Sequence, residues 1–273
     1  MATLTPALTL LLFAVSQSQR PGWGHHHLLL LIGCGIICAV IFAVIERRQK
    51  TPLIEFRLFS ERTFGATSAV YFLNTFTGMG VSFAVIVFLQ HGLAYSPLQV
   101  GFLLLPATLG RIASELAAGH LSDRWGARGL SLAGLLIFAI SSAALGWVEQ
   151  RSSVWLIGAL LILGNTGMAL SNSPIIHAGL QTLCEERMSM GSGLLSLVRI
   201  IGGTFGVGVV GPVVAIAMHW GGSGMASGSA AAALEARGLL SGYHNYFYLI
   251  ALLIFCTMIP ACLVPPTARH PQR

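Results

Sequence analysis

Arg111 and Glu115 stand four residues apart in an otherwise uncharged run, about 98–118. In a helix that spacing puts them on one face. A charge at bilayer depth costs about 2.5–3.5 kcal/mol on insertion scales, so each needs a reason. One reading is a self-neutralising ion pair that snorkels toward the near surface. The other is a pair facing a cavity, with Glu115 as a carboxylate that takes up and releases a proton while Arg111 biases its charge. Glu115 is the only acidic residue in any of the long apolar runs.

Other polar groups repeat at helical spacing. Tyr71, Asn74, Thr75, Gly78 and Ser82 form one stripe, and Asn165, Asn172 and Ser173 form another, with His177 a turn later. Amides and hydroxyls in lipid need partners, so both stripes face other helices. There they serve as interhelical hydrogen bonds or as the wall of a cavity. His177 could also shuttle protons near neutral pH. Arg199 is the third charged residue within a run, and Gly202 and Gly206 beyond it permit close helix approach. No arrangement of Ser, His and Asp, of Cys and His, or of a phosphate-binding loop suggests covalent catalysis, and no cofactor is implied. Cys34 and Cys38 share a helical face but lack further ligands nearby, and His25–His27 are adjacent residues that cannot all meet one ion, so no metal site is expected.

The elements that must position these groups follow from composition. Of 273 residues, 55% belong to the hydrophobic set and only 9% are charged. A soluble domain carries roughly 25% charge, and the surface here has too little polar cover for one. A soluble enzyme, a nucleic-acid-binding module and a secreted disulfide scaffold are excluded, and an all-α, polytopic transmembrane bundle is expected. Spans are predicted at about 4–15, 28–45, 64–89, 98–118, 130–148, 154–176, 194–218 and 246–264, several being long enough to cross roughly 30 Å of hydrocarbon. The first is short, and its rival reading is a signal peptide, against which stands the lack of a basic residue before it. The segment 46–62 is basic with interspersed Leu53, Ile54, Phe56, Leu58 and Phe59, and is expected along the interface with its apolar side chains in lipid. Residues 221–242, rich in Gly, Ala and Ser, read as a flexible outer loop.

Orientation follows from the connectors. Arg47, Arg48, Lys50, Arg57, Arg62, Arg124, Arg128, Arg187, Arg269 and Arg273 fall on one side, and Arg20, Arg151 and Arg237 on the other. The positive-inside rule puts the first set, and with it both termini, in the cytoplasm. The net charge of +6 therefore marks orientation and not nucleic acid.

Four stretches carry a resemblance. Gly119-His120-Leu121-Ser122-Asp123-Arg124-Trp125-Gly126-Ala127-Arg128 resembles the cytoplasmic loop signature of the major facilitator superfamily. Pro52–Phe59 with its preceding Glu46-Arg47-Arg48, Tyr95–Pro106, and Met190–Gly206 with its Arg199 are similar to the 14-span drug:proton antiporter branch. The resemblance implies a C-terminal six-helix bundle over residues 63–273, preceded in 1–62 by two linking helices. It implies Gly119, Asp123, Arg124, Gly126 and Arg128 as a gating group, with Asp123 accepting from helix N-terminal amides. It also implies efflux of small amphipathic compounds in exchange for protons across the cytoplasmic membrane, with Glu115 and Arg111 as the intramembrane charges and Tyr71, Asn74, Asn165, Asn172, His177 and Arg199 as cavity-lining candidates. The eight spans correspond to the last eight of fourteen. The partners expected are therefore the lipid bilayer, substrate, protons, and a missing N-terminal half or a second copy. The alternative is a non-transporting remnant or partner subunit. Met1 followed at once by a short apolar run favours a truncated form of the longer architecture.

Overall fold

The computed structural model describes residues 58–59, 61–148, 152–221 and 229–262. The chain divides into two units, Met1–Arg57 and Leu58–Arg273. The first two expected spans, the His25–His27 run, the Cys34–Cys38 pair and the basic segment through Arg57 lie outside the described residues, as does the tail beyond Cys262.

The second unit is a bundle of six helices: α1 (Arg62–Val87), α2 (Pro97–Trp125), α3 (Ala127–Leu145), α4 (Val154–Leu180), α5 (Glu185–Gly221) and α6 (Ser229–Cys262). A π-helical turn, Phe88–Gly92, continues α1. Each helix contains a stretch long and apolar enough to cross a membrane, and no strand occurs among the described residues. The start of α2 is written in the sequence. Ser96 Oγ accepts from the Gln99 amide, Gln99 Oε1 accepts from the Ser96 amide, and Pro97 occupies the first helical position.

Three boundaries differ from expectation. The segment read as a flexible loop, 221–242, is helical from Ser229 onward, because its run of alanines with Leu234, Glu235 and Arg237 consists of strong helix formers. Glu185, Glu186 and Arg187, read as connector, form the first turn of α5. Leu58, expected in lipid, is buried, and Phe59 packs on Phe64 with ring centroids 5.8 Å apart.

Packing divides the six helices into two triads. α1 packs most extensively on α5, and both pack on α6; α4 packs on α3 and on α2. The contacts of α3 with α6 and of α1 with α4 join the triads. Glycines set the closest approaches. A Cβ at Gly202 would sit 2.6 Å from Thr75 Oγ1 and 2.8 Å from the Phe72 carbonyl oxygen, and one at Gly206 would collide with the backbone of Phe76. Gly134 and Gly167 place α3 against α4, a Cβ at either falling 2.7 Å from the other's carbonyl oxygen. At the end of the bundle that carries Phe88–Gly92, α6 ties the triads together. The Tyr248 hydroxyl donates to the Gly146 carbonyl at 3.1 Å, His244 Nε2 lies 2.9 Å from the Val148 carbonyl oxygen, and Phe247 meets Phe88 edge-on at 5.9 Å.

α2 is the exception. Only 11% of its apolar window is buried, against 56% for α1. Leu98, Phe102, Leu105, Leu109, Ile112 and Leu116 are all exposed, and their alternating spacing of four and three makes one continuous stripe.

Gly206→Val should push α5 off α1 at the cost typical of overpacking, about 1–3 kcal/mol. Gly101→Ala, where a Cβ meets nothing within 4 Å, should leave stability unchanged or slightly raised. Thermal unfolding of the detergent-solubilised chain, followed by tryptophan fluorescence, measures both.

Candidate functional site

The seam between α1 and α4 gathers most of the polar residues singled out in the sequence. Halfway along α1, the fully buried Asn74 directs its Nδ2 across to α4, donating to Ser171 Oγ at 2.9 Å and to Asn172 Oδ1 at 2.8 Å. Ser171 in turn donates to the Met168 carbonyl at 2.9 Å. Asn74 Oδ1 is buried without a hydrogen-bond partner. One turn along, Met168 fills the notch left by Gly78. Beyond that contact the seam opens into a cavity of about 210 Å³ between α1, α2, α3 and α4. Asn165 lies on its wall, with Nδ2 donating to the Leu161 carbonyl at 2.9 Å.

The α1 stripe therefore splits. Asn74, Gly78 and Ser82 face α4 and the cavity, whereas Thr75 donates to the Tyr71 carbonyl at 2.9 Å and packs against Gly202 of α5. Tyr71 is buried.

The charge pair forms as its spacing requires. Arg111 Nε donates to Glu115 Oε1 at 3.0 Å, with side chains 33% and 45% exposed. Arg111 also reaches the cavity wall; Glu115 lies a turn further along α2 and is not part of the lining. Both stand on the helix that the rest of the bundle covers least. Arg199 is exposed on α5, and His177 is exposed near the far end of α4.

The ten-residue signature is not an extended loop. Gly119 and Arg124 lie in α2 and Arg128 in α3, and one residue, Gly126, makes the whole connection. Its φ of +76° is a conformation that side chains disfavour. The Asp123 side chain lies outside the described ones.

The sequence reading did not single out Thr108, Ser141, Ser142 or Ser171. Ser141-Ser142 was visible as a polar pair inside an apolar run, and Thr108 stands one turn before Arg111 on the same helix. Neither signal says which neighbour it will meet.

Comparison with known proteins bears on this geometry. The profile of the Major Facilitator Superfamily matches the chain at residues 2–207 and 67–273. Multidrug resistance protein Stp of Mycobacterium tuberculosis is 30% identical over 209 residues, which is 77% of this chain and 39% of that protein. Drug efflux pump JefA of the same organism is 29% identical over 222 residues, 78% of this chain and 42% of its own length. The uncharacterized MFS-type transporter YhcA of Bacillus subtilis is 28% identical over 203 residues, 73% and 38%. The chain spans about two fifths of the length of these relatives.

Asn74→Ala and Asn172→Ala should each destabilise the bundle, and the double variant should cost less than the two together. A coupling of about 0.5–1.5 kcal/mol is expected for an interhelical polar contact within a membrane bundle. Unfolding of the four proteins in one detergent measures it.

Proposed function

Because this chain belongs to the major facilitator superfamily, we propose that it forms one wall of an efflux transporter that exports small amphipathic compounds in exchange for protons. It is an integral membrane protein of a transporter family and not an enzyme. Stp and JefA carry names that refer to multidrug resistance and drug efflux, and that likeness supports the export of drug-like compounds here.

The observation that carries the reading is the placement of the Arg111–Glu115 pair. It sits midway along a membrane-spanning helix, half exposed, on a face that the other five helices leave open. A lipid-facing charge pair would pay heavily for that position. A water-filled vestibule between this bundle and a second wall removes the cost and gives Glu115 access to protons. Transporters of this architecture alternate by rocking one bundle against another around a site near the midplane. We assign residues 63–273 to one such bundle and residues 1–62 to two linking helices, with the second bundle supplied by further sequence or by another chain. Arg199, exposed on α5, lines the same vestibule, and Gly126 keeps α2 and α3 in a fixed tight turn at its cytoplasmic rim.

The alternative reading is a partner subunit that does not transport by itself. Liposomes containing this chain alone, compared with liposomes containing it together with an N-terminal six-helix bundle, separate the two.

In everted vesicles carrying the complete transporter, Glu115→Gln should abolish accumulation of Nile red driven by an acid interior while leaving gradient-free exchange intact. Unchanged dependence on the pH gradient would remove Glu115 from the coupling step. The orientation has its own test. Cys184, exposed at the connector between α4 and α5, should resist a membrane-impermeant maleimide in intact cells and react with it in everted vesicles.

A further inference from the structure

The cavity between α1, α2, α3 and α4 has a chemistry that specifies its occupant. Its lining is mainly apolar, with Val81, Leu104, Phe138, Leu145 and Leu161 among its walls. Its volume is about 210 Å³; an apolar cavity of roughly 150 Å³ holds a benzene ring, so this one admits a fused two-ring group.

The polar atoms are unevenly distributed by kind. Ser82 donates to the Gly78 carbonyl at 2.8 Å, Thr108 to that of Leu104 at 2.9 Å, and Ser141 to that of Leu160 at 2.6 Å. These hydroxyl hydrogens are committed within the protein, which leaves the oxygens as acceptors toward the cavity. Asn165, whose amide donates to Leu161, likewise offers its Oδ1. Ser142 differs. Its side chain is 1% exposed, and its hydroxyl is buried without a partner. That hydroxyl presents no surface to the cavity, so apart from Arg111 the polar surface of the cavity is acceptor in character. The charged group on the wall is Arg111, while its counterion Glu115 points along α2 outside the lining. The positive end of the pair therefore faces the cavity and opposes a second cation.

We propose that this cavity, formed within one bundle and open on one side at Ser82 and Thr108, is a binding subsite for the flat aromatic portion of a neutral, hydroxyl-bearing compound, and that it discriminates against lipophilic cations. The aromatic rings lie among the apolar side chains. A phenolic hydroxyl donates to the Asn165 or serine oxygens. This names a substrate class for the transport reading above and rests on it, yet its test requires neither a gradient nor a second bundle.

The test is equilibrium dialysis of the detergent-solubilised full chain against 2-naphthol and, separately, 2-naphthylmethylammonium. Saturable binding of 2-naphthol is expected, at least tenfold tighter than binding of the cation. Thr108→Phe and Ser82→Phe fill the cavity from α2 and α1, and each should weaken 2-naphthol binding tenfold or more with the thermal midpoint retained. Equal affinity for the two probes, or binding unchanged in a folded Thr108→Phe or Ser82→Phe protein, would overturn the assignment. Loss of proton-driven efflux with binding intact would count against the coupling reading alone.

Discussion

Hydrocarbon supplies no hydrogen bonds, and that constraint governs this bundle. Every polar group that enters it must find its partner in the protein. Most of the hydroxyls do so locally. Thr67, Thr77, Ser114, Ser131 and Thr204 each donate to the carbonyl four residues back on their own helix. Such residues say nothing about neighbours. The informative groups are those satisfied between helices: the Asn74 and Asn172 amides, which join α1 to α4, and the Ser141 hydroxyl of α3, which reaches Leu160 on α4. Both contacts end on α4 because an interhelical partner is the remaining way to avoid an unmet polar group in lipid.

Apolar packing then decides which contacts are rigid. Between lipid-bathed helices there is no hydrophobic driving force, so close approach through small residues supplies the attraction. Gly202 and Gly206 bring α5 onto the backbone of α1, and Gly134 with Gly167 brings α3 onto α4. α2 has no contact of that closeness. A Cβ at Gly110 would meet Ile162 of α4 at 3.3 Å, a side chain and not a backbone. The helix that carries the charge pair is thus also the one held least tightly.

The last six spans were legible because hydropathy reads lipid solubility directly, and each of those six predicted runs coincides with a helix over most of its length. Helix ends were less legible for the same reason. The residues from Ser229 to Ser241 are too polar to count toward a span yet helical by propensity, so the start of α6 was placed at 246 instead of 229. The signature about Asp123 was legible as a motif but not as a shape, since its one-residue turn depends on the φ of Gly126. Among site residues, the Arg111–Glu115 pair was readable because both partners share one helix and fixed spacing suffices. Asn74 was readable as inward-facing, and Asn172, one of its two partners, was read on a facing stripe; Ser171, the other, was not singled out. The cavity was not readable at all. It exists because Ser141 and Ser142 of α3 come opposite Ser82 of α1 and Thr108 of α2, an alignment set by tertiary packing.

The seam between α1 and α4 differs from the other helix contacts in a way that bears on movement. Toward the Gly126 end it is closed by the hydrogen bonds of Asn74; toward the Phe88 end it is hollow. The pairs α1–α5 and α3–α4 meet backbone to backbone, whereas the triads meet through side chains. At the Phe88 end the bonds from Tyr248 and His244 of α6 to the carbonyls of Gly146 and Val148 hold α6 to the α3 side. At the polar end any separation of α1 from α4 exposes Asn74, whose Oδ1 already lacks a partner. The cavity lined by Arg111 therefore lies between two places where hydrogen bonds hold the triads together.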